Sequence, residues 1–154
     1  MAKHIERSAL VPYSARQMYD LVNDVKAFPD FMDGCVGAEI LRQGEDFIEA
    51  RLDLRKGRFE QSFATHNTLT PGQRIDMTLS QGDAFKSLAG AWVFLDLGGN
   101  GGESGGSEHG SKVSLTLEFE FKNRLLAIAA DPWFEKVANQ LVDSVCRRAQ
   151  QIYP

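Results

Sequence analysis

The segment from Asp131 to Ile152, DPWFEKVANQLVDSVCRRAQQI, sets a demand that the rest of the chain has to meet. Apolar residues at Phe134, Ala138, Leu141, Val145, Ala149 and Ile152 recur at spacings of four and three, and Val137 and Val142 widen the stripe. Glu135, Lys136, Asn139, Gln140, Asp143, Arg147, Arg148 and Gln150 hold the other side. This pattern predicts an amphipathic helix roughly 30 Å long with one face buried. Asp131 suits the N-cap, Pro132 the first helical position, and Arg147 and Arg148 the negative end of the dipole. The preceding NRLLAIAA, from Asn123 to Ala130, is also helix-prone and joins without a turn signal. The helix therefore either starts at Pro132 or is longer and bends there.

Segments of period two can supply the surface that this helix needs. Lys3 to Val11 places Ile5, Ala9 and Val11 on one alternating face, with Arg7 interrupting, and Pro12 ends it. Ser14 to Gln17 reads as an S-x-x-Q capping box, with Tyr13 and Met18 spaced as a hydrophobic staple, so a helix starts there. Met18, Leu21, Val22 and Val25 form its apolar face, and Pro29 between Phe28 and Phe31 marks a short irregular or helical segment closing on Gly34. From Val36 onward the alternation predicts strands. Ile48, Ala50, Leu52 and Leu54 share one face, as do Phe59, Phe63 and Leu69 together with the polar Gln61, Thr65 and Asn67. Ile75, Met77 and Leu79 follow, then Leu88, Trp92 and Phe94 with Gly90 as an expected bulge or bend, then Val113 to Phe121. Lys56-Gly57, Pro71-Gly72 and Gln81-Gly82-Asp83 are the turns. The glycine-rich stretch from Gly98 to Gly110 reads as a flexible hairpin loop, because the strand pattern resumes directly after it and no phosphate-binding spacing is present. Strands joined by tight turns pair antiparallel, so the expected class is α+β, with one curved sheet packed on the last helix.

The totals narrow the function classes. A chain of 154 residues with 43% hydrophobic and 25% charged residues fits a single globular domain spanning residues 1 to 154. No apolar run reaches membrane-spanning length, and MAKHIERS lacks the apolar core of a secretory signal, so a cytoplasmic location is expected. The net charge of −4 argues against DNA as a partner. Cys35 and Cys146 have no metal-ligand spacing and read as two buried or half-buried thiols. His4, His66 and His109 are scattered, and Glu118 and Glu120 share the outward parity of one strand, so no catalytic constellation stands out.

Three motifs carry a family resemblance. ALVPYSARQMYDLVNDVKAFPDFMDGC at residues 9 to 35, GDAFKSLAGAWVF at 82 to 94 and LEFEFKNRLL at 117 to 126 resemble the START-like family. That family includes ubiquinone-binding proteins of respiratory chains and bacterial ribosome association toxins of the RatA kind. One departure is Met32 followed by Asp33, where relatives often carry an aliphatic residue after the second aromatic. The resemblance implies the helix-grip (START/Bet v 1-like) fold: a sheet of six to seven strands wrapped around a long C-terminal helix, one or two short helices after the first strand, and an elongated cavity between sheet and helix. It also favours the longer form of the last helix.

What the family implies is a non-enzymatic protein with no cofactor, binding ubiquinone or a similar polyisoprenoid and supporting respiratory electron transport; peripheral contact with a membrane is compatible with that. The expected cavity lining is Phe28, Phe31, Gln61, Phe63, Thr65, Met77, Phe85, Lys86, Trp92, Phe119, Val137, Leu141 and Val145, with Gln61, Thr65, Asn67 or Lys86 as donors to a quinone head. The alternative is a toxin that binds the large ribosomal subunit and blocks subunit association, with Arg51, Arg55, Lys56 and Arg58 meeting RNA phosphate, as could Arg147 and Arg148. An enzyme akin to polyketide cyclases ranks third.

Overall fold

The computed structural model describes residues 2–97 and 110–153. The expected glycine loop therefore lies, but for Gly110, outside the described residues. The elements are β1 (Lys3–Val11), α1 (Ala15–Asn23), a single 3-10 turn (Val25–Ala27), α2 (Phe28–Phe31), β2 (Cys35–Gln43), β3 (Phe47–Lys56), β4 (Phe59–Thr70), β5 (Arg74–Gln81), β6 (Phe85–Asp96), β7 (Ser111–Phe121) and α3 (Arg124–Ile152). The strands form one antiparallel seven-stranded sheet in the order β1-β7-β6-β5-β4-β3-β2. The helices after β1 carry the chain across to the far edge, and each later strand then pairs with the one before it until β7 closes on β1, with Ile5 opposite Leu117.

Local chemistry accounts for the short helices. Ser14 Oγ accepts from the Gln17 N–H at 3.0 Å while Ser14 N–H donates to Gln17 Oε1 at 2.9 Å, the reciprocal box read from the sequence. A second acceptor comes from the sheet: Asp96, at the end of β6, takes the Ala15 N–H at 2.8 Å. The apolar face of α1 then buries Met18, Leu21 and Val22.

The last helix is the long form. It begins at Arg124, capped by Asn123 Oδ1 accepting from the Leu126 N–H at 2.8 Å, and Pro132 lies inside it. Asp131 is thus a helix-interior residue and not the cap. Pro132 removes the bond to the Ile128 carbonyl, and it does so on an exposed stretch where water can take that carbonyl. Twenty-nine residues at 1.5 Å make a helix of about 44 Å. Ile152, expected at the end of the apolar stripe, is instead 47% exposed, because the helix has by then run past the sheet and Tyr153 takes over, its hydroxyl donating to the Gln17 carbonyl at 3.0 Å.

Two ion pairs align α3 with the edge strand β1: Lys3 with Glu135 at 3.9 Å and Arg7 with Asp143 at 3.8 Å. Four residues of strand and eight of helix both advance about 12–13 Å, so the two pairs share one register. This explains Arg7 on an otherwise apolar parity. Under the helix the core is aromatic. The Phe134 ring lies 4.7 Å from Phe119, 5.2 Å from Phe85, 5.9 Å from Phe121 and 6.2 Å from Phe63, each edge to face.

Gly90 is not the bulge that the sequence suggested. The register of β6 against β7 shifts between Phe85 and Ser87, and Gly90 pairs regularly with Leu117. Its role is close approach: a Cβ there would meet the Thr116 carbonyl oxygen at 2.3 Å. Gly90→Ala should therefore lower stability by about 1–3 kcal/mol through overpacking, read from denaturant midpoints at unchanged slope. Cys35 is buried, with its thiol on the Gly37 carbonyl at 3.4 Å, and Cys146 is half-buried; both are free. Burial raises both thiols above the ordinary 9.0. The folded state therefore holds these protons more tightly, and that contribution to stability is complete below about pH 9 and lost as pH rises through the raised values. Unfolding free energy should fall above about pH 9, and fall less in a Cys35→Ala, Cys146→Ala double variant.

Candidate functional site

The concave face of the sheet and α3 do not fill the space between them. A cavity of about 90 Å³ remains. Its helix wall is Phe134, Val137, Ala138 and Leu141, and its sheet wall draws on Ala50, Leu52, Phe63, Thr65, Asn67, Ile75, Met77, Leu88, Trp92, Leu115 and Leu117. The segment from α1 to α2 closes one end with Val22, Asn23, Val25, Phe28 and Met32. Side-chain size contributes: the lining includes the small Ala50 on the sheet and Ala138 on the helix, while Phe85, Phe119 and Phe121 of the aromatic cluster lie outside it.

Nearly all of this lining is apolar, and none of it titrates near neutral pH. Its polar members are Asn23, Thr65 and Asn67. Thr65 and Asn67 are 9% and 8% exposed, and Thr65 Oγ1 donates to Asn67 Oδ1 at 2.8 Å. Such walls can hold an uncharged guest and orient it with an amide. The Thr65 hydroxyl is the one group among them that could act as a nucleophile, and the lining holds no acid or base to activate it.

Of the residues expected to line the cavity, the structure brings Phe28, Phe63, Thr65, Met77, Trp92, Val137 and Leu141 together. The others lie elsewhere. Phe85 and Phe119 belong to the aromatic cluster, and Val145 is fully buried further along α3. Gln61 is on the correct strand face but beyond the cavity, opposite Leu54 near the β3–β4 turn. Phe31 lies against Phe28 at 5.2 Å with the rings tilted by 57°, and carries the Arg148 guanidinium at 5.7 Å, outside the lining. Lys86 is a plain correction: the bulge between Phe85 and Ser87 turns both Lys86 and Ser87 outward, so Lys86 is exposed and gives no donor to the cavity. Ala50, Leu52, Ile75, Leu88, Leu115, Leu117 and Ala138 were recognisable as inward-facing residues but not as cavity walls. Val25 was likewise legible only as part of an apolar helix face, and Asn23 carried no such signal.

The basic residues divide similarly. Arg51 is already engaged, with Glu39 at 2.9 Å and Asp53 at 3.1 Å, beside a shallow cleft of about 190 Å³. Arg55 reaches Glu60 at 4.0 Å. Lys56 and Arg58 are exposed and form no ion pair among the described residues. They flank Gly57 at the tip of the β3–β4 hairpin, whose φ of +61° suits glycine. This tip stands beside α3, because Phe59 meets Trp133 edge to face at 5.0 Å. On the same helix, before Pro132, Leu125 and Ile128 are 81% and 69% exposed. Arg148 is largely covered, 3.9 Å from Asp30, whereas Arg147 is exposed and touches Ser144 Oγ at 3.3 Å. Asp33 is exposed beside the buried Met32.

Comparison with known proteins agrees with this architecture. Residues 11–146 match the family model for polyketide cyclase / dehydrase and lipid transport. The chain is 40% identical to a ribosome association toxin RatA of Pseudomonas aeruginosa over 99% of both chains. It is 25% identical to a mitochondrial coenzyme Q-binding protein of Xenopus laevis, over 99% of this chain and 61% of that one. Among solved structures, an aromatase/cyclase from a Streptomyces species superposes with a TM-score of 0.81 at 15% identity, covering 98% and 95% of the two chains, and shares the fold alone. The chain therefore belongs to the polyketide cyclase / dehydrase and lipid transport family.

Proposed function

We propose that this protein works by associating with the ribosome, with the large subunit as its target, and that carrying a lipid is not its main task. The observation that supports this most is the 40% identity, sustained over 99% of both chains, to a protein named for ribosome association. The order of the two readings drawn from the sequence thereby reverses. The geometry offers the proposal a surface: a hairpin tip with the exposed cations Lys56 and Arg58, which form no ion pair among the described residues, while Leu125 and Ile128 stand exposed on α3. Two exposed cations on a narrow tip can reach RNA phosphates although the whole chain carries a net charge of −4. A protein docked on the face that joins the subunits would keep them apart sterically, with no chemistry required.

Two features weigh against the other readings. Ubiquinone binding is supported by a relative at 25% identity, but a cavity of about 90 Å³ has no space for a polyisoprenoid tail unless sheet and helix separate. A cyclase would need a group to move protons, and the cavity walls offer none.

Sucrose-gradient sedimentation of lysate tests the proposal. The protein should travel with large-subunit particles, and its excess should deplete the 70S fraction; if it stays at the top of the gradient at low and moderate salt, ribosome association is wrong. Lys56→Glu combined with Arg58→Glu should weaken co-sedimentation about ten-fold or more and reduce the salt slope by roughly two, with the melting temperature unchanged because both residues are exposed. Undiminished binding by that variant would mean that the contact lies elsewhere on the protein.

A further inference from the structure

The sheet has an open edge inside its own strand order. β4 pairs with β3 from Phe59 opposite Lys56 to Thr68 opposite Phe47, whereas on its other side β5 ends with Gln81 opposite Ala64. Beyond that point the chain turns away. Gly82 passes Phe63, where an added Cβ would lie 3.0 Å from Phe63 Cβ, and the Ala84 carbonyl then accepts from the Lys122 N–H at 2.8 Å, past the end of β7. Residues 59–62 are left without a strand on that side. Natural edges are usually guarded by a bulge or a proline, and the outer edge β2 is broken by two register shifts. This stretch of β4 has neither guard.

The register shows which backbone groups face the opening. In an antiparallel ladder alternate residues send their N–H and C=O to opposite sides. The Arg55 N–H donates to the Gly34 carbonyl at 2.8 Å, on the β2 side, so Arg55 and its partner Glu60 turn their backbone groups away from each other. The Thr70 carbonyl, of the same parity as Glu60, accepts from the Gln73 N–H at 2.9 Å on the β5 side, in agreement. Glu60 and Ser62 therefore direct N–H and C=O to where β5 has ended. Both residues are exposed, and among the described residues no group bonds their backbone there. The shallow cleft of about 190 Å³ adjoins this edge, with Arg51, Ser62, Gln81 and Asp83 in its walls. Arg51 is met by Glu39 at 2.9 Å and Asp53 at 3.1 Å, and Asp83 forms no ion pair among the described residues. Three carboxylates thus stand against one guanidinium.

We infer that the β4 edge at Glu60 and Ser62 is a strand-addition site for an extended segment of another protein that places a lysine or arginine in this cleft. The added strand takes the position that β5 vacates, and main-chain bonds to Glu60 and Ser62 hold it. Its residue opposite Ser62 projects on the same face as Ser62, and so into the cleft. The excess of carboxylate selects a cation at that position. The site uses neither Lys56 nor Arg58 and its test contains no ribosome, so it stands or fails apart from the ribosome reading.

Titration of the ¹⁵N-labelled full chain with the peptide Ac-Thr-Val-Arg-Val-Thr-NH₂ tests this. The Glu60 and Ser62 backbone amides should shift saturably and exchange more slowly. The same peptide with glutamate at its centre should bind about ten-fold more weakly, and Asp83→Lys should narrow or reverse that preference. N-methylation of the peptide's arginine, which removes the donor paired with Ser62, should abolish binding. Ser62→Pro, which deletes an N–H that β3 does not use, should do the same, while Ser62→Ala should bind as the wild type does. The inference is overturned if the two amides do not respond, if the N-methylated peptide binds equally, or if the glutamate peptide matches the arginine one. It is also overturned if both amides are already protected in the free protein in a concentration-dependent way, since the occupant is then a second copy of the chain. Should Ser62→Pro fail to fold, the N-methylated peptide and Asp83→Lys decide the matter.

Discussion

Phe134 is the contact on which the molecule depends. Its ring meets those of Phe63, Phe85, Phe119 and Phe121, which come from three strands, and each edge-to-face pair adds about 0.5–1.5 kcal/mol beyond area burial. This cluster sets the depth at which α3 sits in the sheet. Towards the C-terminus the fit is complete: Val142, Val145 and Ala149 are at most 1% exposed. Where the lining includes the small Ala50 and Ala138, the same depth leaves a gap. Solid core and cavity are thus two results of one placement, and the ion pairs along β1 keep the helix from sliding to trade one for the other.

Most of the architecture was legible because the period of the chain changes cleanly from two to 3.6 and the turns carry glycine or proline. Parity shows which side chains face inward. It does not show which inward residues touch and which leave space. Phe119 and Trp92 read alike in the sequence, yet one fills the cluster and the other lines the cavity, since the difference depends on the summed volumes of five strands and a helix. Lys86 was misplaced for a more local reason. A single extra residue in β6 inverts the alternation from that point, and nothing in FKSL announces it. The helix start was hidden in a similar way: Asp131-Pro132 is a good beginning by composition, but Asn123 offers an equally good cap, and packing from Ala130 onward favours the earlier one.

The fold supports names as different as toxin, coenzyme Q-binding protein and cyclase. What separates them has to be local. In this chain the cavity lining is free of titratable groups, whereas exposed cations stand at the tip of the β3–β4 hairpin and Leu125 and Ile128 are exposed on α3.

The connection between β6 and β7 has a consequence for how this chain can change over generations. Its two ends are clasped: Asp96 pairs with Ser111, the Leu97 N–H donates to the Gly110 carbonyl at 3.0 Å, and Asp96 also holds the first turn of α1. With the stem closed in this way, lengthening the connection costs only closure entropy, about 0.6 kcal/mol for each doubling. Insertions can accumulate there almost without selection against them, so this is the position at which a lineage can try out new sequence without risking the body of the protein.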